Sequence, residues 1–138
     1  MRFLVDTNVL SEFLKKTPHP GVIRWFEQTD PDSQYISALS AGELRKGIVR
    51  LPPSRRKDAL EVWLADLTEQ SYERILPFTL ETAHVWASMR ADLERVGRII
   101  PVIDGLIAAT ALEHNLQVVT RNTSDFLHVP VEVLDPFE

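Results

Sequence analysis

Asp6, Glu43, Asp104 and Asp125, with the neutral oxygen of Asn122, are the side chains whose type and setting suggest chemistry. Asp6 closes the apolar run Phe3-Leu4-Val5, and no Lys or Arg lies within three residues of it. As a plain helix N-cap it would be worth about 0.5–2 kcal/mol. Glu43 ends Ser40-Ala41-Gly42-Glu43, the S-x-x-E pattern of a capping box, and Lys46 offers it a surface ion pair. Asp104 heads the helical stripe Ile107, Ala108 and Ala111, with no basic residue within five positions. A carboxylate there needs a tertiary cation or a metal, because an unpaired buried charge is strongly unfavourable. Turn chemistry accounts for Asn122 and Asp125 within Thr120-Arg121-Asn122-Thr123-Ser124-Asp125, where Arg121 can pair with Asp125.

Each acid alone has a structural explanation, and their joint placement is more specific. Asp6 and the 122–125 turn follow predicted strands, while Glu43 and Asp104 fall in first turns of predicted helices. All would then gather at the carboxyl edge of one sheet, where open α/β folds place their ligands. Like charges about 4 Å apart repel by roughly 4 kcal/mol per pair at an effective dielectric of 20. A divalent cation removes that repulsion. An all-oxygen ligand set, without cysteine or a helical His pair, points to Mg²⁺ or Mn²⁺ rather than zinc. Such a centre suits phosphodiester chemistry.

The elements that must position these groups can be read along the chain. Phe3-Leu4-Val5 is expected as a buried strand, and Val9, Leu10, Phe13 and Leu14 as a helix that ends before Pro18. Val22, Ile23, Trp25 and Phe26 predict a second short helix, and Tyr35-Ile36-Ser37 a short strand. Ser40 is expected to open a helix through Ile48 and Leu51, and Leu60, Trp63, Leu64 and Leu67 mark the next. Ile75-Leu76-Pro77-Phe78 reads as a short strand, with Pro77 favouring a strand end or edge, and Thr79 caps a long helix that Gly97 stops. That helix carries Leu80, Ala83, Ala87 and Ala91 on one side and Trp86, Met89, Leu93 and Val96 on another, so one side is a candidate dimer interface. Pro101 opens a helix to about Asn115, and Val118–Thr120 and Val131–Leu134 are the last strands. Strands alternating with helices predict a single α/β domain over residues 1–138, a mainly parallel sheet with helices on both faces.

Composition narrows the function classes. The absence of cysteine excludes disulfides and thiol catalysis and fits a cytoplasmic setting. No apolar run approaches a membrane span, and no secretory leader pattern opens the chain. A net charge of −5 argues against bulk polyanion binding, although Lys15-Lys16, Arg45, Lys46, Arg50 and Arg55-Arg56-Lys57 are grouped. The four histidines are scattered and receive no role.

Four segments, in order and over essentially the whole chain, carry a family resemblance. They are Phe3-Leu-Val-Asp-Thr-Asn-Val-Leu-Ser-Glu12, Ser37-Ala-Leu-Ser-Ala-Gly-Glu-Leu-Arg-Lys-Gly47, Asp104-Gly-Leu-Ile-Ala-Ala-Thr-Ala111 and Val118-Val-Thr-Arg-Asn-Thr-Ser-Asp-Phe126. With them the sequence resembles a PIN-domain ribonuclease, the toxin of a VapBC-type toxin–antitoxin pair. The resemblance implies a three-layer α/β/α sandwich and Mg²⁺- or Mn²⁺-dependent endonucleolytic cleavage of RNA by a metal-activated water. It assigns Asp6, Glu43 and Asp104 to the metal site, Thr120 to a hydroxyl near the pocket, and Asn8 to orienting Asp6. The fourth family acid falls where this chain has Asn122, so either Asn122 serves or Asp125 substitutes. It also implies a homodimer, a small antitoxin that covers the pocket, and contact with operator DNA only through that antitoxin. Two other readings compete: a PIN scaffold that binds without cleaving, and a phosphoacceptor or phosphatase domain. The phosphatase pattern wants an acid at position 8, which is Asn8.

Overall fold

The computed structural model describes residues 1–138. Five parallel strands form its sheet in the order β3-β2-β1-β4-β5. These are β1 (Phe3–Val5), β2 (Gln34–Ser37), β3 (Ile75–Leu76), β4 (Gln117–Val119) and β5 (Val133–Leu134). β1 lies at the centre, paired on one side with β2 (Leu4 opposite Tyr35) and on the other with β4 (Leu4 opposite Val118). The direction in which strands are added reverses between β1 and β4, which makes their carboxyl ends the crevice of the sheet.

Side chains alternate across the strands, so β1 feeds two cores. Leu4 and Val118 face a layer made by α5 (Leu80–Arg95) and α6 (Val102–His114), with Met89, Leu93, Ile107, Ala108 and Phe126. Val5, Ile36 and Val119 face the opposite layer. It comprises α1 (Thr7–Leu10), α2 (Pro20–Gln28), α3 (Ala38–Val49) and α4 (Arg55–Ser71), which contribute Val9, Val22, Leu44, Ile48, Leu60 and Leu64. The predicted three-layer sandwich is the observed one. No helix is long and apolar enough to cross a membrane.

Several local expectations hold for the stated reasons. Thr79 caps α5, with Thr82 returning the second bond of the box. Gly97, at φ 73°, ends it: the Arg98 amide donates to Leu93 O and the Gly97 amide to Glu94 O. Other expectations shift. The first helix keeps α geometry only to Leu10 and tightens into a 3₁₀ turn over Ser11–Leu14. Only one side of α5, through Thr82, Met89 and Leu93, is buried; Leu80, Ala87 and Ala91 are exposed.

Candidate active site

Asp6 stands where β1 ends and α1 begins, and the sheet fixes it from both sides. Its amide donates to Val119 O of β4 at 2.9 Å. Its Oδ1 accepts from the Thr7 amide at 2.7 Å, as an N-cap should. Its Oδ2 accepts from Thr120 Oγ1 at 2.8 Å and from Asn8 Nδ2 at 3.3 Å. Thr120, wholly buried, uses every valence of its hydroxyl, since Oγ1 also accepts from Asn8 Nδ2 and from the Asn122 amide, each at 3.0 Å. Asn8 completes the link by accepting the Arg121 amide at its Oδ1. The ends of β1 and β4 are thus one hydrogen-bonded unit built around the Asp6 carboxylate.

Glu43 enters from α3, although not as a capping box. β2 ends at Ser37, whose hydroxyl accepts the Leu39 amide, so Ser37 caps the helix and Ser40 lies buried in its first turn. Freed from the cap, Glu43 accepts from Thr7 Oγ1 at 2.6 Å rather than pairing with Lys46. Thr7 Oγ1 also lies 2.9 Å from Ser40 Oγ. The charge-assisted bond to the carboxylate is the stronger of the two contacts. Thr7 had no assigned role in the sequence and Ser40 only that of a cap, because a threonine and a serine 33 positions apart carry no local signal of meeting.

Asp104 occupies the first turn of α6 and heads its buried stripe. It shares with Asp6, Thr7, Asn8, Glu43, Ile103 and Asn122 a cleft of about 270 Å³. Burial pushes its pKa up to about 7, helped by the charge of Asp6, a hydrogen bond and charge from Asp125, and the charge of Glu43. Burial likewise raises Asp6; the bonds from Thr120 and the Thr7 amide oppose that rise, and the charge of Glu43 adds to it. Asp125 sits in the 3₁₀ turn over Thr123–Phe126, its amide bonded to Asn122 O. It reaches Asp104 without lining the cleft itself, whereas Asn122 lines the cleft. Arg121 does not pair with Asp125; its guanidinium lies over the Phe137 ring, 4.3 Å from the centroid.

The five residues singled out in the sequence therefore converge. No three of the acidic or histidine side chains are close enough to grip one ion directly. The donor set is nonetheless all oxygen, and burial together with neighbouring like charge raises Asp104 toward neutrality. Mg²⁺ characteristically retains several waters and takes only one or two carboxylates directly, so these residues fit that ion. A larger groove of about 500 Å³ runs along α5, lined by residues including Val85, Met89, Leu93 and Leu112, but the clustered carboxylates are in the smaller cleft.

Comparison with known proteins gives the family of the fold. The PIN domain family model matches residues 3–132. The chain is 36% identical to toxin FitB of Neisseria gonorrhoeae over 97% of each chain. It is 33% identical to VapC ribonuclease Y4jK of Sinorhizobium fredii, over 98% of this chain and 97% of that one. A solved structure of FitAB bound to an IR36 DNA fragment superposes with a TM-score of 0.93 at 34% identity, covering 99% of this chain and 96% of the other.

Proposed function

The chain belongs to the PIN-domain family and is closely related to its VapC-type toxins, and from that premise we propose that it is a Mg²⁺-dependent endoribonuclease, the toxin of a toxin–antitoxin pair. One observation carries the reading: Asp6, Glu43, Asp104 and Asn122 line one cleft, where burial first, and then the charges of Asp6, Asp125 and Glu43, raise the Asp104 pKa to about 7. A buried cluster of like charge of this kind is relieved by a bound cation, which supports the reading.

Asp6 and Asp104 would hold the ion, with Mn²⁺ as an alternative to Mg²⁺. When bound, it lowers the pKa of a water and offsets charge on phosphate oxygens. The chain does the positioning. Thr120, Asn8 and the Thr7 amide hold Asp6 in one rotamer. Thr7 ties up one oxygen of Glu43 and leaves the other to accept a proton from the attacking water. Asn122 completes the polar wall, and Asp125 stands outside the cleft, where its bond and charge raise the Asp104 pKa.

The relatives supply the setting. FitB is named a toxin, and FitAB has been seen on DNA. A small antitoxin partner, DNA contact through that partner, a homodimer and a cytoplasmic RNA substrate belong to the same reading. Exposed Ile99 and Val102, with Ile103 and Leu127, give the rim near Asp104 and Asp125 an apolar character suited to burial by protein.

The test is cleavage of structured RNA with Mg²⁺ and with EDTA, beside Asp6→Ala and Asp104→Ala. Cleavage is expected with Mg²⁺ alone and is abolished by EDTA or by either substitution. EDTA-resistant cleavage, or cleavage that survives both substitutions, overturns the reading.

A further inference from the structure

Arg121 is flanked by two residues of the site. Thr120 before it bonds Asp6, Asn122 after it lines the cleft, and its own amide donates to Asn8 Oδ1 at 3.0 Å. Its side chain is exposed, forms no ion pair and donates to no acceptor in the protein. Yet it is not loose. The guanidinium lies 4.3 Å from the centroid of the Phe137 ring, well within the roughly 6 Å of a cation–π contact.

Phe137 is itself fixed by a chain of contacts. Its amide donates to Asp135 Oδ1 at 2.8 Å, and its ring meets His19 edge-on at 5.1 Å. His19 caps α2 by accepting the Gly21 amide at Nδ1, and its own amide donates to buried Glu12. At Gly21, any Cβ would stand 2.4 Å from Pro136 O, so the C-terminal segment closes tightly on the start of α2. The last residues of the chain thus form a floor beneath one arginine at the edge of the cleft.

A guanidinium held over a ring, with no acceptor in the protein, keeps its N–H donors free. That arrangement matches the two oxygens of a phosphodiester edge-on, and no acidic side chain competes for it by direct contact. Burial raises the pKa of Glu12, but its bonds from Lys15 and the His19 amide, with the nearby Lys15 and Arg121 charges, hold the net value below the usual range. Lys15, 2.6 Å from Glu12, and Arg121 therefore belong to one local cationic margin beside an acidic cleft.

We propose that Arg121, braced on Phe137, clamps a backbone phosphate of the RNA strand next to the one cleaved, a role that rests on the ribonuclease reading above. Lys acts as a point charge where Arg offers a fork, and Phe137 supplies rigidity rather than charge. The contact is to backbone, so it strengthens binding without selecting sequence.

The test measures binding of a short fluorescein-labelled, mixed-sequence single-stranded RNA by anisotropy across a KCl series, in Mg²⁺ and in a cleavage-impaired Asp104→Asn background. Adding Arg121→Gln is expected to weaken binding roughly tenfold and to reduce the slope of log affinity against log salt by about 0.7, one phosphate contact. Arg121→Lys should keep the slope and lose part of the affinity. Phe137→Leu should keep the slope and weaken binding by less than Arg121→Gln. If the parent binds with a salt-dependent affinity that Arg121→Gln leaves unchanged, the clamp is wrong and the nuclease reading stands. If the parent binds no RNA, both fall. If Arg121→Gln and Phe137→Leu lower thermal stability alike with the salt slope intact, Arg121 only supports the C-terminal segment, and the clamp is again overturned.

Discussion

Thr7 Oγ1 stands 2.6 Å from Glu43 Oε1, joining the first residue of α1 to a residue of α3, 36 positions later. Thr7 thus places two of the site's acids, Glu43 through its hydroxyl and Asp6 through its amide. Thr7→Val removes the hydroxyl at nearly constant volume. The expected loss is about 1.5–3 kcal/mol for a hydrogen bond to a charged group, with a fall in Mg²⁺-dependent cleavage that Thr7→Ser largely restores. Equal cleavage by Thr7→Val and the parent would show that Glu43 finds its place without help.

Thr120→Val should be worse for the fold. The hydroxyl is wholly buried and serves Asp6, Asn8 and the Asn122 amide at once. Orphaning these groups costs about 1–3 kcal/mol, read as a shifted denaturation midpoint. The bond also opposes the burial that raises Asp6, so the Asp6 pKa should rise further in the variant. NMR titration of the Asp6 carboxyl carbon checks that direction.

The pKa of about 7 at Asp104 sets a pH dependence for the metal-free protein. In the unfolded chain the group returns to about 3.8, so between those values the folded state holds a proton that the unfolded state has released. Its contribution is therefore a loss of stability as pH rises from about 4 to about 7, level above that. In EDTA the melting temperature of the parent should fall over this range relative to Asp104→Asn. Saturating Mg²⁺ should remove most of the difference above pH 7, because it replaces the proton. Coincident profiles for parent and Asp104→Asn in EDTA would contradict the crowding.

Asn122 and Asp125 make separable predictions. Asp125 raises the Asp104 pKa through a hydrogen bond and its charge, so Asp125→Asn should bring that pKa down. It should also weaken Mg²⁺ binding if the aspartate fills the family's fourth acidic position. Asn122→Ala removes a side chain from the cleft wall but keeps its amide bond to Thr120, so it should alter cleavage with little change in Asp104. Calorimetric Mg²⁺ titration of both variants ranks the two residues.

Gly21→Ala tests the C-terminal seat. A methyl group 2.4 Å from Pro136 O cannot be accommodated without moving backbone. The expected cost is about 1–3 kcal/mol, and protease susceptibility should rise at residues 135–138. A parent-like digestion pattern would show that the segment adjusts freely.

Where the sequence spoke clearly, the cause was local. Phe3-Leu4-Val5 followed by Asp6 announces a buried strand and a helix cap, and both are present. Asp104 was conspicuous because its apolar stripe has no nearby cation. The Ser40–Glu43 pattern misled because the strand ends one turn earlier, at a serine equally able to cap. Nothing around Arg121 points to Phe137: a ring beneath a guanidinium leaves no periodicity, and Asp125 was the nearer candidate. Thr7 stayed silent for the same reason, since its partner is brought over only by the β1–β2 pairing.

β1 becomes the middle of the finished sheet, and Asp6 waits for a hydroxyl 114 positions downstream. Pairings this distant form late and together, not piece by piece. A polypeptide halted before Thr120 lacks β4, the brace on Asp6 and the whole 122–125 turn. If the ribonuclease reading holds, such a fragment carries Asp6 without its brace and is expected to leave RNA intact.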